Sequence, residues 1–392
     1  MHAQDWVAIA DRAGQALAGR AAAFEAARAL PDDVADQLAD AGLHGLLLPR
    51  GCGGAELDPA TFFDAIARLA RHEAASAWCS FIGCTASVLV SRMGLDDARR
   101  LMHRPGLRCA GVFAPRGRAE PARQDGVPGW RVQGSWAWGS GTANAHWISV
   151  GCVAHGDDGR PVTLADGSPR VLSAWLAREQ VTLRHDWDAC GLGGTGSGQF
   201  DVAPGTFVPA WRAVSIFDAP RHGGPLYRFP VFGLLALGIA AVSCGLARHA
   251  LDAFADLAGA KVPQGATRVL AQRAAAQDAM ARAEAAWRGA RAFVHEAVAA
   301  AWSEAQQGGA DELPLALRRD LRLACTHMAD SAAELCTRLF TVAGGSAVFA
   351  ASPLQRCLRD ALVARQHLMV AEPTWELCGR LLLGQPAPVA TL

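Results

Sequence analysis

Gly191-Leu192-Gly193-Gly194-Thr195-Gly196 has the G-x-G-x-x-G spacing with which backbone amides cradle a dinucleotide pyrophosphate. That chemistry needs a helix opening on the third glycine, and Ser197-Gly198-Gln199-Phe200-Asp201-Val202-Ala203-Pro204 follows instead. Glycine and proline there forbid the helix. The segment reads as a turn between strands, or as a flexible loop whose amides face a cofactor. Gly344-Gly345-Ser346 lies between two helical stretches, where a helix cap explains one glycine and an anion-binding concavity would use two. Twelve histidines offer acid–base groups, but no H-x-x-x-H or C-x-x-C spacing occurs, so no metal site is expected. No G-x-S-x-G elbow is present to make a hydrolase. On spacing alone, Ser140 reads as a turn serine and His367 as an imidazole on a helix surface.

Three regimes of pattern must position these residues. From residue 4 to about 110 the apolar spacing is helical, with Ala13, Leu17 and Ala21 on one face. Val34, Leu38 and Leu43 follow an acidic Pro31-Asp32-Asp33 start that suits a helix N-terminus. From about 111 to 215, glycine and proline punctuate short runs rich in valine and tryptophan, such as His146-Trp147-Ile148-Ser149-Val150. These predict antiparallel strands closing a small barrel or sandwich. Beyond 230 long alanine-rich helices return, over Leu270 to Ala301 and Pro314 to Phe340. The expected class is α+β, mainly α, with units at 1–110, 111–222 and 223–392.

Composition bounds the function. The 392 residues are 51% hydrophobic and 19% charged, enough for more than one core. With 37 basic and 37 acidic side chains and no run of five like charges, neither nucleic acid nor an anionic membrane is an expected partner. Eleven cysteines without metal-ligand spacing, and opening residues without a signal pattern, predict a reducing cytoplasm. The uncharged run from Val231 to Ala247 falls just short of the roughly 20 apolar residues that span a bilayer. Its alanine, glycine and serine content predicts a buried helix instead.

The segment Gly134-Ser135-Trp136-Ala137-Trp138-Gly139-Ser140-Gly141-Thr142-Ala143-Asn144-Ala145-His146-Trp147 resembles the part of acyl-CoA dehydrogenases, and of the related two-component flavin monooxygenases, that holds the isoalloxazine ring. The likeness continues through Gly191 to Ser197, Val208-Pro209-Ala210-Trp211-Arg212, and the run Gly344 to His367 containing Arg359-Asp360. It implies an N-terminal helical domain, a central β-barrel or sandwich and a C-terminal four-helix bundle. It also implies a flavin, FMN or FAD, with Phe113, Trp138, Ser140, Thr195, Arg268, Gly344 and Gly345 as contacts and a homotetramer as assembly. Arg268 and Gln277 would lie on a helix that reaches a neighbouring subunit.

The branch follows from what is missing. Dehydrogenases of this superfamily carry a catalytic glutamate shortly after the Arg-Asp pair, or on the first helix of the bundle. Here those places read His367-Leu368 and the uncharged run Leu234 to Gly245, and Glu372 comes one helical turn late. The resemblance therefore implies an oxygenase that hydroxylates a small aromatic or apolar molecule through a flavin C4a-hydroperoxide, with molecular oxygen as co-substrate. Ser140 would bond the N5 edge and His367 would serve as acid–base group. A separate NAD(P)H-dependent reductase would supply reduced flavin. Some relatives carry a further histidine near Ala77 to Thr85, where this chain has none; Trp78, Cys84 and Thr85 are the pocket residues expected instead. A dehydrogenase with a relocated base, or a non-catalytic scaffold binding flavin or acyl thioester, are the alternatives.

Overall fold

The computed structural model describes residues 2–308 and 313–392. Six helices open it: α1 Ala3–Ala16, α2 Ala21–Ala27, α3 Asp32–Asp40, α4 Pro59–Ala70, α5 Ala74–Ser87 and α6 Leu95–Met102. The caps follow the sequence. Asp32 and Asp33 occupy the first turn of α3, the carboxylate of Asp58 accepts from Thr61 N at the start of α4, and Glu73 accepts from Ala75 N and Ser76 N at the start of α5. Every residue of α5 is buried.

Seven strands follow: β1 Cys109–Gln124, β2 Val127–Trp136, β3 Trp147–Ala154, β4 Val171–Ala177, β5 Thr182–Leu183, β6 Phe200–Pro209 and β7 Ala213–Val214. They form one sheet in the order β5-β6-β2-β1-β3-β4-β7. The sequence pattern predicts antiparallel pairing throughout; β1 and β3 are parallel, because the chain leaving β2 crosses over residues 137–146 and re-enters beside the first half of β1. β1 shifts register between Val112 and Gly117 and pairs with β2 only from Arg118 onward, so it serves both halves of the sheet. The halves fold onto a single core in which Trp136, Phe200 and Val208 meet Ile148, Leu172 and Leu176. The arrangement is the expected sandwich made from one bent sheet.

The last unit is helical: α7 Val231–Ala260, α8 Ala274–Gln307, α9 Leu315–Ala343, α10 Pro353–Ala364 and α11 Pro373–Leu382. α7 packs on α9 and α10, α8 on α9, and α11 on α9. α7 and the stretch Ala74–Arg92 are each long and apolar enough to cross a membrane, yet their apolar windows are 89% and 100% buried inside the protein. Glycine permits that burial: a Cβ at Gly238 would lie 2.4 Å from the Phe81 ring, and one at Gly245 would lie 2.3 Å from the Ala67 carbonyl. Backbones therefore approach where side chains would hold them apart.

Candidate active site

The crossover between β2 and β3 carries Ser140. Trp138 adopts φ +67°, a region that bulky residues rarely occupy, and its ring is 68% exposed. Backbone bonds from Gly139 N to the Gly198 carbonyl and from Gly141 N to the Thr195 carbonyl, each 3.0 Å, hold this turn against the loop between β5 and β6. The Trp138 ring meets Trp187 edge-on at 5.7 Å. Two partly bare aromatic rings thus flank a buried serine.

Ser140 Oγ accepts from the Trp78 indole at 3.0 Å and lies 2.6 Å from Ser197 Oγ, which in turn lies 2.6 Å from Thr195 Oγ1. Thr195 Oγ1 donates to the Leu192 carbonyl at 2.8 Å, and Leu192 N donates to Asp360 at 2.6 Å. The Gly191–Gly196 loop does lie between strands, but it is not a free loop offering amides to a ligand. It is wedged between α2, α5 and α10; a Cβ at Gly191 would come 2.3 Å from the Arg359 carbonyl. Asp360 is buried, and burial lifts its carboxyl to about 7 against the lowering effect of the Leu192 amide.

His367 follows α10 in a bend rather than on a helix surface. Its ring meets the Trp78 ring edge-on at 6.0 Å, so one indole of α5 touches both residues singled out from the sequence. Nδ1 accepts from Met369 N at 3.2 Å. A neutral ring must then carry its proton on Nε2 and present a donor there. Burial, with the Arg322 guanidinium beside it, holds the ring pKa down to about 4, so it is neutral at neutral pH. Arg322, itself buried, donates through Nε to the Met369 carbonyl at 3.0 Å and through Nη1 to the Thr391 carbonyl.

The remaining expected residues divide. Cys84 and Thr85 do not offer polar atoms to this site: the Cys84 thiol, pushed up to about 12 by burial, bonds the Leu43 carbonyl, and Thr85 Oγ1 bonds Phe81 and Ile82 carbonyls in its own helix. Cys84 is rotated about 120° from Trp78 around α5, whereas Thr85, seven residues on, shares the Trp78 side of the helix two turns further along, with its hydroxyl held by its own backbone. Phe113 is half-buried against Phe232 at the start of α7. Gly344 ends α9 at φ +62°, and Lys261 Nζ donates to the Ala343 carbonyl at 2.6 Å beside it. Gly345 has no atom within 4 Å of where a Cβ would stand. Arg268 is exposed in the irregular connection between α7 and α8, not on a helix, because Pro263 and Gly265 break the helical run; Gln277 does lie on α8.

A histidine does approach α5, from elsewhere in the sequence. His44, in the loop after α3, places Nδ1 3.4 Å from where a Gly83 Cβ would stand, and both its ring nitrogens are buried without a partner. Burial and the charge of Arg108 hold it to about 4, as they do His146. Its signal was a lone polar side chain in Leu43-His44-Gly45-Leu46-Leu47-Leu48. Three histidines depressed from 6.5 to about 4 favour the folded state above pH 6.5 and withdraw that stability as pH falls toward 4. We expect melting temperature to fall across that window. His44→Gln should flatten the acid slope by up to about 1.4 kcal/mol per pH unit, the linkage for one proton; an unchanged slope would place the acid lability elsewhere.

A planar heteroaromatic ring with a polar edge fits this donor set: Trp138 and Trp187 offer bare aromatic surface, Ser140 an acceptor and His367 Nε2 a donor. A flavin is such a ring. Residues 8–102 match the acyl-CoA dehydrogenase N-terminal domain family, and residues 237–372 match the acyl-CoA dehydrogenase C-terminal domain family. Indole-3-acetate monooxygenase of Pseudomonas putida is 30% identical over 367 residues, covering 93% of this chain and 90% of that protein. The oxygenase subunit HsaA of a flavin-dependent monooxygenase from Mycobacterium tuberculosis is 30% identical over 382 residues, covering 93% of this chain and 91% of its own. The crystal structure of the HsaA monooxygenase from that organism superposes with a TM-score of 0.87 at 28% identity over 100% of both chains. XiaF from a Streptomyces species, solved with FADH2 and glycerol, shares the fold with a TM-score of 0.88 at 24% identity, over 100% of this chain and 98% of its own.

Proposed function

We propose, from the premise that this chain belongs to the acyl-CoA dehydrogenase superfamily, that it is the oxygenase component of a flavin-dependent monooxygenase. It hydroxylates a small aromatic or apolar organic molecule, with molecular oxygen as co-substrate and reduced flavin delivered by a separate reductase. The observation that carries this is Trp78 bridging Ser140 and His367 where a dehydrogenase would need a carboxylate. α7 has no acid from Leu234 to Gly245, and Glu372 is exposed at the N-terminal cap of α11. A base must reach its proton at hydrogen-bond distance.

When bound, the reduced cofactor supplies the two electrons that activate oxygen. The chain's own residues orient and enclose. Trp138 and Trp187 offer ring surface, Ser140 an oxygen lone pair at the polar edge, and His367 Nε2–H a hydrogen bond to negative charge developing on oxygen. The neutral ring does this without a second charge beside Arg322. Phe113, Gly344 and Gly345 would line the cofactor's remaining length, and exposed Arg268 would reach it across a subunit interface. Exposed Leu362, Leu368, Leu382 and Leu383 suit the burial that a homotetramer of the units 1–110, 111–222 and 223–392 would bring; we place the enzyme in the cytoplasm.

The test is direct. Protein mixed with anaerobically reduced FMN or FAD, then with labelled oxygen and a panel of phenols and indoles, should transfer one oxygen atom into product. The same preparation should not reduce an electron-acceptor dye with any acyl-CoA. Dye reduction abolished by Glu372→Gln would establish a dehydrogenase with a relocated base instead.

A further inference from the structure

The hydroxyl chain beside Ser140 has a fixed direction. At one end the Trp78 indole has a proton and no lone pair in the ring plane, so it donates to Ser140 Oγ at 3.0 Å. At the other end the Leu192 carbonyl has lone pairs and no proton. It takes the Thr195 hydroxyl at 2.8 Å and also the Trp187 indole at 3.2 Å. Between these ends stand three hydroxyls with one proton each. Thr195 spends its proton on Leu192. Ser197 must then give its own to Thr195 across 2.6 Å, and Ser140 must give its own to Ser197 across 2.6 Å. Reversing any link sets two lone pairs face to face at one end, without water to relieve them: Ser140, Thr195 and Ser197 are 5%, 2% and 5% exposed. Ser140 therefore has no proton left for a ligand. It offers outward one lone pair.

We propose that this polarity makes Ser140 a reader of the flavin's redox state, with Ser197 and Thr195 as the positioning residues that set it; the proposal rests on the flavin assignment above and on Ser140 facing the N5 edge. A reduced isoalloxazine carries a hydrogen on N5, which the Ser140 lone pair accepts. An oxidised one carries a lone pair on N5, which meets the Ser140 lone pair head-on. The same ring is thus held when it arrives with electrons and loosened once it has lost them. Loading from a reductase and discharge after turnover then need no conformational change at this point. Trp78 is the anchor that keeps the chain from turning round.

The test reads affinity, not turnover. Anaerobic titrations following tryptophan fluorescence would measure binding of oxidised and reduced FMN and FAD, and of oxidised 5-deaza-FMN, in which a C–H replaces N5. The wild type should bind reduced flavin at least about tenfold tighter than oxidised, the change expected when a charge-free hydrogen bond replaces an unpaired contact. Oxidised 5-deaza-FMN should also bind tighter than oxidised FMN. Ser197→Ala frees the Ser140 proton to point outward, and should tighten oxidised flavin about tenfold while leaving reduced flavin within roughly threefold. Thr195→Val releases the Ser197 proton toward Ser140 and should act in the same direction, so either variant suffices if the other fails to fold. Folded variants with an unaltered ratio of oxidised to reduced affinity, or with both affinities lowered alike, would overturn the redox-reading role and leave the flavin assignment standing. A wild type that binds none of these flavins would overturn both.

Discussion

His367→Ala is expected to slow oxygen transfer by about 10²–10³-fold while leaving folding and flavin affinity nearly intact. The substitution removes the Nε2–H donor and the edge contact with Trp78 at 6.0 Å, but Ser140 and its hydroxyl partners do not depend on it. Peroxide release should rise as product falls, because oxygen reduced without a positioned donor leaves before it reaches substrate. A helix-surface histidine would give a different result: turnover would drop only in proportion to folded protein. Melting temperature, flavin affinity and the product-to-peroxide ratio, measured on one preparation, decide between them. A variant with normal coupling removes His367 from the chemistry.

Arg322→Met carries the second large effect. The guanidinium is 2% exposed and satisfies the carbonyls of Met369 and Thr391, tying the bend that carries His367 to the C-terminal segment and to α9. Methionine fills much of the volume but leaves the carbonyl of buried Met369 unpaired, at about 1–3 kcal/mol, while that of exposed Thr391 can turn to water. We expect a loss of roughly 1–3 kcal/mol in denaturant unfolding. The His367 pKa should rise toward its ordinary value as the neighbouring positive charge disappears, since that charge helps depress it. The acid limb of the product-to-peroxide ratio should therefore move to higher pH. Arg322→Lys keeps the charge and should restore the pH limb better than the stability; a pH limb that does not move in the methionine variant would show that burial alone sets the pKa.

How much of this was legible depended on whether the determining contact was local. The helical regimes and the core faces of Val34 and Leu38 follow from spacing, because burial of a helix face is written every three or four residues. Ser140 and His367 stood out through resemblance of whole segments, and the structure brings both to Trp78. The direction of β1 against β3 was not legible, since alternation along a strand says nothing about which way its neighbour runs. The helix expected for Arg268 comes from the resemblance alone; Pro263 and Gly265, with polar Thr267 and Arg268 after them, already break the helical pattern before Leu270. Cys84 and Thr85 lie on the same helix as Trp78, but their polar atoms bond backbone carbonyls, a choice of partner that residue type and spacing do not reveal. His44 was passed over because its approach to Gly83 is a tertiary event between a loop and a helix about 40 residues apart, marked only by a polar residue in an apolar run. Ser197 and Arg322 carry no motif: their roles come from partners far along the chain.

The Leu192–Asp360 bond joins residues 168 positions apart, and Trp78 waits longer still for His367. Loop closure over such spans is slow, so synthesis on the ribosome must deliver three helical and strand-rich segments before the site can exist. The bent sheet can collapse early around its own core, whereas the N-terminal helices share theirs with α7, α9 and α10, and the glycine loop at 191–196 stays without its α10 partner until residue 360 has emerged. In refolding experiments, recovered helix signal should accordingly precede recovered flavin binding, and the lag between them reports the docking of α10. During that interval the Leu192 amide, which ends buried on Asp360, has water as its partner instead.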